Sequence, residues 1–193
     1  MTDAAPAVFV IGPAGSGKST IARALATQLP GCYLDKDTLT EPFVRHALAA
    51  SGRDPDAREH DDHYRSAVMP LEYRVLFDTA RDNLLLGQAV VIDAPFSAYL
   101  GDPDYLARTR VAHGWPAATA VTVVAVSVQQ ETLFTRLAQR NLPRDQWKLT
   151  HRDEFMRRFA VVSCRWSGAT VVDIANGELP PDVSAVIDVI SSG

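Results

Sequence analysis

Cysteine is almost absent from this chain. Only Cys32 and Cys164 occur among 193 residues, and they lack the spacing of a paired motif. A disulfide scaffold is thereby excluded, and two cysteines with five scattered histidines do not make a metal cluster. Both thiols are expected to be free and buried. A basic excess is also missing: 19 Lys and Arg face 23 Asp and Glu, for a net charge of −4. That balance argues against a general nucleic-acid binder but leaves room for a local basic patch. No apolar run reaches membrane-spanning length. The first residues carry no basic stretch, and Ala7–Ile11 passes straight into a glycine loop, so it reads as a strand and not a leader. Neither a membrane nor a nucleic-acid partner is expected, and the expected location is cytoplasmic. Internal repeats, low-complexity tracts and a guanine-specifying N-K-x-D stretch are missing too.

What the chain does have is alternation. Apolar, valine-rich runs at Val8–Ile11, Cys32–Leu34, Ala89–Ile92, Ala120–Val128 and Ala169–Ile174 read as strands. Between them lie helical patterns over Lys18–Leu29, Thr38–Ala50, Leu71–Leu86, a stretch capped by Asp102 or Asp104 and ending at Ala112, Gln130–Gln139 and Thr150–Cys164, with Ser184–Ile190 last. His60–Met69 reads as helical but interrupted by Pro70. Five strands alternating with helices predict an α/β fold, a parallel sheet covered on both faces. Pattern alone does not give the strand order. The length suits a single domain over 1–193, with an acceptor-binding insertion at 38–73 and a lid at 136–150.

Gly12-Pro13-Ala14-Gly15-Ser16-Gly17-Lys18-Ser19, with Thr20 beside it, fits G-x-x-x-x-G-K-[ST]. Glycines let the backbone turn tightly and aim several N–H groups at one centre. The helix that follows adds its positive end. Lys18 is suited to β- and γ-phosphates and the Ser19 hydroxyl to Mg²⁺. A strand before the loop and an amphipathic helix after it supply the context the motif needs, so ATP with Mg²⁺ is the expected ligand pair.

Ligands of open α/β sheets sit beyond the carboxyl ends of strands. Asp35 and Asp37 follow the second strand, and Asp37 is the candidate base that faces an acceptor hydroxyl. Asp35 would assist Mg²⁺ or orient Lys36, or both acids simply cap the next helix. Asp93 ends the third strand and is a candidate Mg²⁺ ligand, with contact to the acceptor as the alternative. Asp173 reads as a later strand-end acid with a structural or nucleotide-side role. Arg136, Arg140 and Arg144 recur every four residues and are candidates to neutralise a transferring phosphoryl group, against the plain reading of a solvated basic helix. Arg45, Asp61, Asp62, His63 and Tyr73 lie between the second and third strands and are candidates to contact the acceptor. Phe96 and Tyr99 would add an apolar wall, and His63 is a second candidate base.

The motif order Gly12–Ser19, Asp35-Lys36-Asp37, Val90–Asp93 and Arg136 to Arg144 resembles the P-loop kinases of small molecules and nucleotides. The stretch Arg140-Asn141-Leu142-Pro143-Arg144-Asp145 is similar to the lid of zeta-toxin-like, gluconate-kinase-like and chloramphenicol-phosphotransferase-like proteins. The resemblance implies a five-stranded sheet in the order 2-3-1-4-5, Asp37 facing the acceptor, and an adenine site near Asn176 and Gly177. The expected activity is transfer of the γ-phosphate of ATP to a small-molecule hydroxyl. Two other readings stay open: a nucleotide-dependent switch, and a toxin-like kinase acting on a sugar nucleotide or a macromolecule.

Overall fold

The computed structural model describes residues 4–56, 58, 61–159, 163–177 and 182–192. Five strands form one sheet in the order β2-β3-β1-β4-β5: β2 Gly31–Asp35, β3 Ala89–Asp93, β1 Ala7–Ile11, β4 Val121–Ser127 and β5 Thr170–Ala175. Every pairing is parallel, so all five carboxyl ends lie along one edge. The order is the one the resemblance implied.

The central strands β1 and β3 are buried over their whole length, which is why their sequences are continuously apolar and do not alternate. Their side chains still divide between two cores. Phe9, Ile11, Val90, Ile92, Val123 and Ala125 face an aromatic core closed by α3 (Met69–Leu85), α4 (Tyr105–Ala112), Trp115 and Trp166. Val8, Val10, Val91, Val124 and Val126 face the other side, against α1 (Lys18–Gln28) and α8 (Ser184–Ser191). The edge strand β5 is largely exposed.

Several helix limits differ from the pattern reading for physical reasons. Helix α2 spans Lys36–Ala50 and starts two residues earlier than expected. Its cap is Asp35, whose Oδ1 accepts from the backbone N–H groups of Asp37 at 2.9 Å and Thr38 at 3.2 Å. Pro70 does not interrupt the next helix, because it lies in the first turn of α3 where no intrahelical N–H is lost. A π-helical turn, Tyr64–Val68, leads directly into it. Helix α5 covers Gln130–Arg140 and stops at Asn141, which is left-handed at φ 48°. A 3₁₀ turn (Pro143–Asp145), α6 (Gln146–Thr150) and α7 (Arg152–Phe159) follow. The last part of the helix expected over Thr150–Cys164 includes 160–162, outside the described residues, and Cys164 lies in irregular chain past α7. Asp173 is an exposed residue within β5 and not a strand-end acid. Among the described residues no helix is long and apolar enough to cross a membrane.

Candidate active site

A cleft of about 830 Å³ opens over the carboxyl ends of the strands. Gly12, Pro13, Ala14, Lys18 and Ser19 line one side of it, and Asp35, Asp37 and Asp93 lie along its floor. The loop between β1 and α1 needs its glycines. Gly12 has φ 154°, and a Cβ there would lie 2.6 Å from the Val126 carbonyl oxygen. Gly17 has φ 87°, and a Cβ there would fall 2.0 Å from Asn176 Nδ2. Thr20 is exposed and does not line the cleft.

Two side chains hold this loop from behind. Asn176 Nδ2 donates to the Ser16 carbonyl at 2.8 Å, and Arg136 Nη1 donates to the same oxygen at 3.2 Å. Asn176 itself is anchored by its backbone N–H on the Ser127 carbonyl, so β4, β5 and the loop are tied at one point. Both residues touch the loop, but neither lines the cleft. Gly177, next to Asn176, is exposed. Arg136 therefore separates from Arg140 and Arg144, which do line it.

Asp93 is buried at the end of β3, paired in register with Asp35 on β2. The Tyr33 hydroxyl lies 2.9 Å from Asp93 Oδ2 and 3.2 Å from Asp35 Oδ2. Asp93 Oδ1 is buried with no hydrogen-bond partner. Burial raises the Asp93 pKa and Asp35 adds to the rise, while Lys18, the Ser19 hydroxyl and the Tyr33 hydroxyl oppose it.

Asp37 is the opposite case. Lys36 Nζ lies 3.0 Å from its Oδ1 and Arg144 Nη1 lies 2.9 Å from its Oδ2. Burial alone would raise this carboxyl, but Lys36, Arg144 and Lys18 together hold it well below the usual carboxylate range. Lys36 is buried beneath it and pairs with Glu72 at 2.6 Å. Glu72 also accepts from the Thr40 hydroxyl at 3.1 Å and the Tyr64 hydroxyl at 2.6 Å. Burial lowers the Lys36 ammonium, but Asp37, Tyr64 and Glu72 outweigh it and the net shift is upward.

The arginine segment is heavily paired. Arg140 binds Asp145, which is fully buried, through Nε and at 2.7 Å through Nη2. Lys148 Nζ reaches the same carboxylate at 3.2 Å. Arg144 bridges Asp37 and, at 3.3 Å, Glu41. Trp147 packs with Leu133, Phe134, Leu137 and Phe155.

Other expected acceptor contacts are not at the cleft. Arg45 pairs with Asp56 at 2.8 Å, and Asp61 pairs with Arg53 at 2.9 Å and accepts from the Tyr64 N–H. Asp62 pairs with Arg65 on the surface, and His63 precedes the π-helical turn. None of these four lines the cleft. Phe96 is fully buried, in ring contact with Phe9, Tyr73, Phe77 and Trp166, so it is core and not wall. Tyr99 stacks on Tyr105 and is likewise not a cleft residue. Tyr73 does line it. The residues assigned no individual role from sequence are Tyr33, Lys36, Glu41, Arg58, Glu72 and Lys148. Lys36, between two singled-out acids, was the nearest to a signal; the partners Glu72 and Glu41 come from helix faces that no short motif marks.

A family model described as an AAA domain matches residues 8–162. Among solved structures, a candidate kinase from Chloroflexus aurantiacus J-10-fl is 17% identical, with a TM-score of 0.68 over 100% of this chain and 97% of that one. A sugar kinase from Janibacter sp. HTCC2649 is 16% identical, with a TM-score of 0.60 over 97% and 93%. A thymidylate kinase from Candida albicans is 14% identical, with a TM-score of 0.56 over 97% and 92%. At such identities the likeness is one of fold. Among curated proteins no sequence matches. With a family match running from β1 through α7, and a glycine-loop cleft on a 2-3-1-4-5 parallel sheet, the chain belongs to the AAA domain family and has the P-loop kinase fold.

Proposed function

We propose that this protein is an ATP-dependent kinase that moves the γ-phosphoryl group to a hydroxyl of a small molecule. The observation that carries the reading is the placement of Asp37. A carboxylate held between Lys36 and Arg144 shares one cleft with Lys18 and Ser19 of the phosphate loop. A bare nucleotide switch has no use for an oriented acid opposite its phosphate loop.

The donor set fits Mg²⁺. Asp93 Oδ1 is a buried oxygen without a partner beside the Ser19 hydroxyl, and hard oxygen donors suit that ion. No group of three or more His, Cys, Asp or Glu side chains suited to a metal occurs among the described residues. One carboxylate and one hydroxyl, completed by phosphate oxygens and water, is the usual way Mg²⁺ is held in such sites. When bound, it would offset charge on the phosphate oxygens.

The chain's own residues do the rest. Backbone N–H groups from Gly12 to Ser19 and the Lys18 ammonium would bind the phosphates. Arg140 and Arg144 would counter charge that spreads over the transferring group. Asp37 would accept a hydrogen bond from the acceptor hydroxyl and fix its direction of attack. Because Asp37 is such a weak base, it takes the proton only as the new O–P bond forms and then yields it to water. The reading rests on label transfer from γ-labelled ATP into pools of small alcohols, with Lys18→Ala as control. Transfer undiminished by that substitution would defeat it.

A further inference from the structure

The kinase reading leaves the acceptor open, and the wall beyond Asp37 narrows its chemistry. Resting on that reading, we propose that the acceptor is an uncharged alcohol with an apolar body, taken up hydroxyl first. The cleft that holds Asp37 is also lined by Pro42, Met69, Tyr73, Pro95, Ala98 and Leu100. Lys36, Glu41, Arg58 and Arg65 also line the cleft, and each is paired within the protein. Arg58 Nη1 and Nη2 both donate to Glu41 at 2.8 Å. Lys36 and Glu72 pair at 2.6 Å, with Glu72 also taking the Thr40 and Tyr64 hydroxyls. Arg65, at the same wall, pairs with Asp62.

This arrangement selects by what it withholds. A sugar acid or a nucleoside monophosphate brings a negative charge that needs a cation of its own. Taking Arg58 for that purpose breaks both of its bonds to Glu41 and leaves that acid to Arg144 at 3.3 Å, and taking Lys36 strands a buried Glu72. A hexose brings several hydroxyls that lose water against proline, methionine and leucine without gaining partners. Thr38 and Ser97, also on the wall, supply one or two polar contacts but not a full set. An apolar alcohol leaves every internal pair intact and gains from the same surface.

The reaction is a simple exchange of bonds. The acceptor oxygen forms a bond to Pγ, the bond from Pγ to the β,γ-bridging oxygen breaks, and ADP departs with that electron pair. The acceptor proton passes to Asp37 and then to water, so the products are a phosphate monoester, ADP and one proton.

The test compares acceptors at equal concentration with γ-labelled ATP: uncharged aromatic or alicyclic alcohols, hexoses, sugar acids and nucleoside monophosphates. We expect the uncharged apolar alcohols to lead by at least about tenfold in kcat/KM. Ala98→Glu, at an exposed wall position, should lower kcat/KM for those alcohols by about tenfold and leave the KM for ATP unchanged. A hexose or an anionic acceptor in the lead overturns the inference and leaves the kinase reading standing. So does an Ala98→Glu enzyme with unaltered selectivity. Label in no class, with ATP still bound, overturns both.

Discussion

The Tyr33 hydroxyl donates to Asp93 Oδ2 across 2.9 Å, joining β2 to β3 at their carboxyl ends. A single phenol proton also faces Asp35 Oδ2 at 3.2 Å, so it mediates between two acids that are register partners. Burial first, then Asp93 and Asp35, raise the Tyr33 pKa and keep the proton in place. One oxygen of Asp93 is thus spoken for and the other, Oδ1, is left over.

Tyr33→Phe removes only that donor. Asp93 then loses the bond that fixes the orientation of its carboxyl, the group expected to hold the metal. Mg²⁺ or Mn²⁺ affinity in the presence of nucleotide should fall by roughly fivefold, the equivalent of about 1 kcal/mol for one hydrogen bond. Mn²⁺ titration followed by electron paramagnetic resonance measures this without any turnover. Equal affinities for the two proteins would remove Tyr33 from the role.

Lys36 and Glu72 form a buried ion pair with side-chain exposures of 6% and 2%. Removing one partner leaves the other charge stranded, which costs about 3–5 kcal/mol. Lys36→Met should therefore lower the urea midpoint sharply. Lys36→Met with Glu72→Gln should recover most of the loss, since no charge is then stranded. A single variant as stable as the parent would mean that Glu72 finds water or another cation.

Asp37→Asn addresses chemistry and pH together. Loss of the acid that directs the hydroxyl should lower kcat by about 10²–10⁴ with little change in ATP affinity. The folded-state pKa of Asp37 is depressed, so its stabilising contribution is present above the unfolded value of about 3.9 and fades as pH falls below that. The parent should accordingly lose more stability than Asp37→Asn between about pH 5 and pH 2.5, seen in urea midpoints taken across that range. Parallel losses would show that Lys36 and Arg144 do not stabilise the ionised form. The same depression implies that kcat carries no limb from Asp37 near neutral pH.

The sheet and the phosphate loop were legible because each is written locally. Five apolar runs and one eight-residue motif fix them, and Gly12 and Gly17 carry the backbone geometry themselves. Strand order was not local and came only through resemblance. The acceptor side was least legible. Arg45, Asp61 and Asp62 have the chemistry of a binding site, yet each pairs with a near neighbour in the chain, at Asp56, Arg53 and Arg65. The side chains that do hold Asp37 come from residues 36 and 144, which pair in turn with residues 72 and 41 and are brought together only by packing of α2, α3 and the segment after α5. Charge in a sequence says that a pair is available, and the fold decides with whom.

Arg136 and Asn176, both expected at the nucleotide, both grip the Ser16 carbonyl. Asn176 is buried, so Asn176→Ala removes a 2.8 Å bond and opens a gap behind Gly17. Arg136 still donates to the same oxygen, so the carbonyl is not orphaned and the cost should stay near 1–2 kcal/mol. Changing both residues leaves the oxygen without either donor, and the combined loss should exceed the sum of the single losses. A double-mutant cycle on urea midpoints reads that excess. A residue that served only to hold adenine would instead change affinity for ATP and GTP unequally and leave the midpoint alone. A loop brace lowers affinity for both alike, since what it disturbs is the ring of amides that every triphosphate shares.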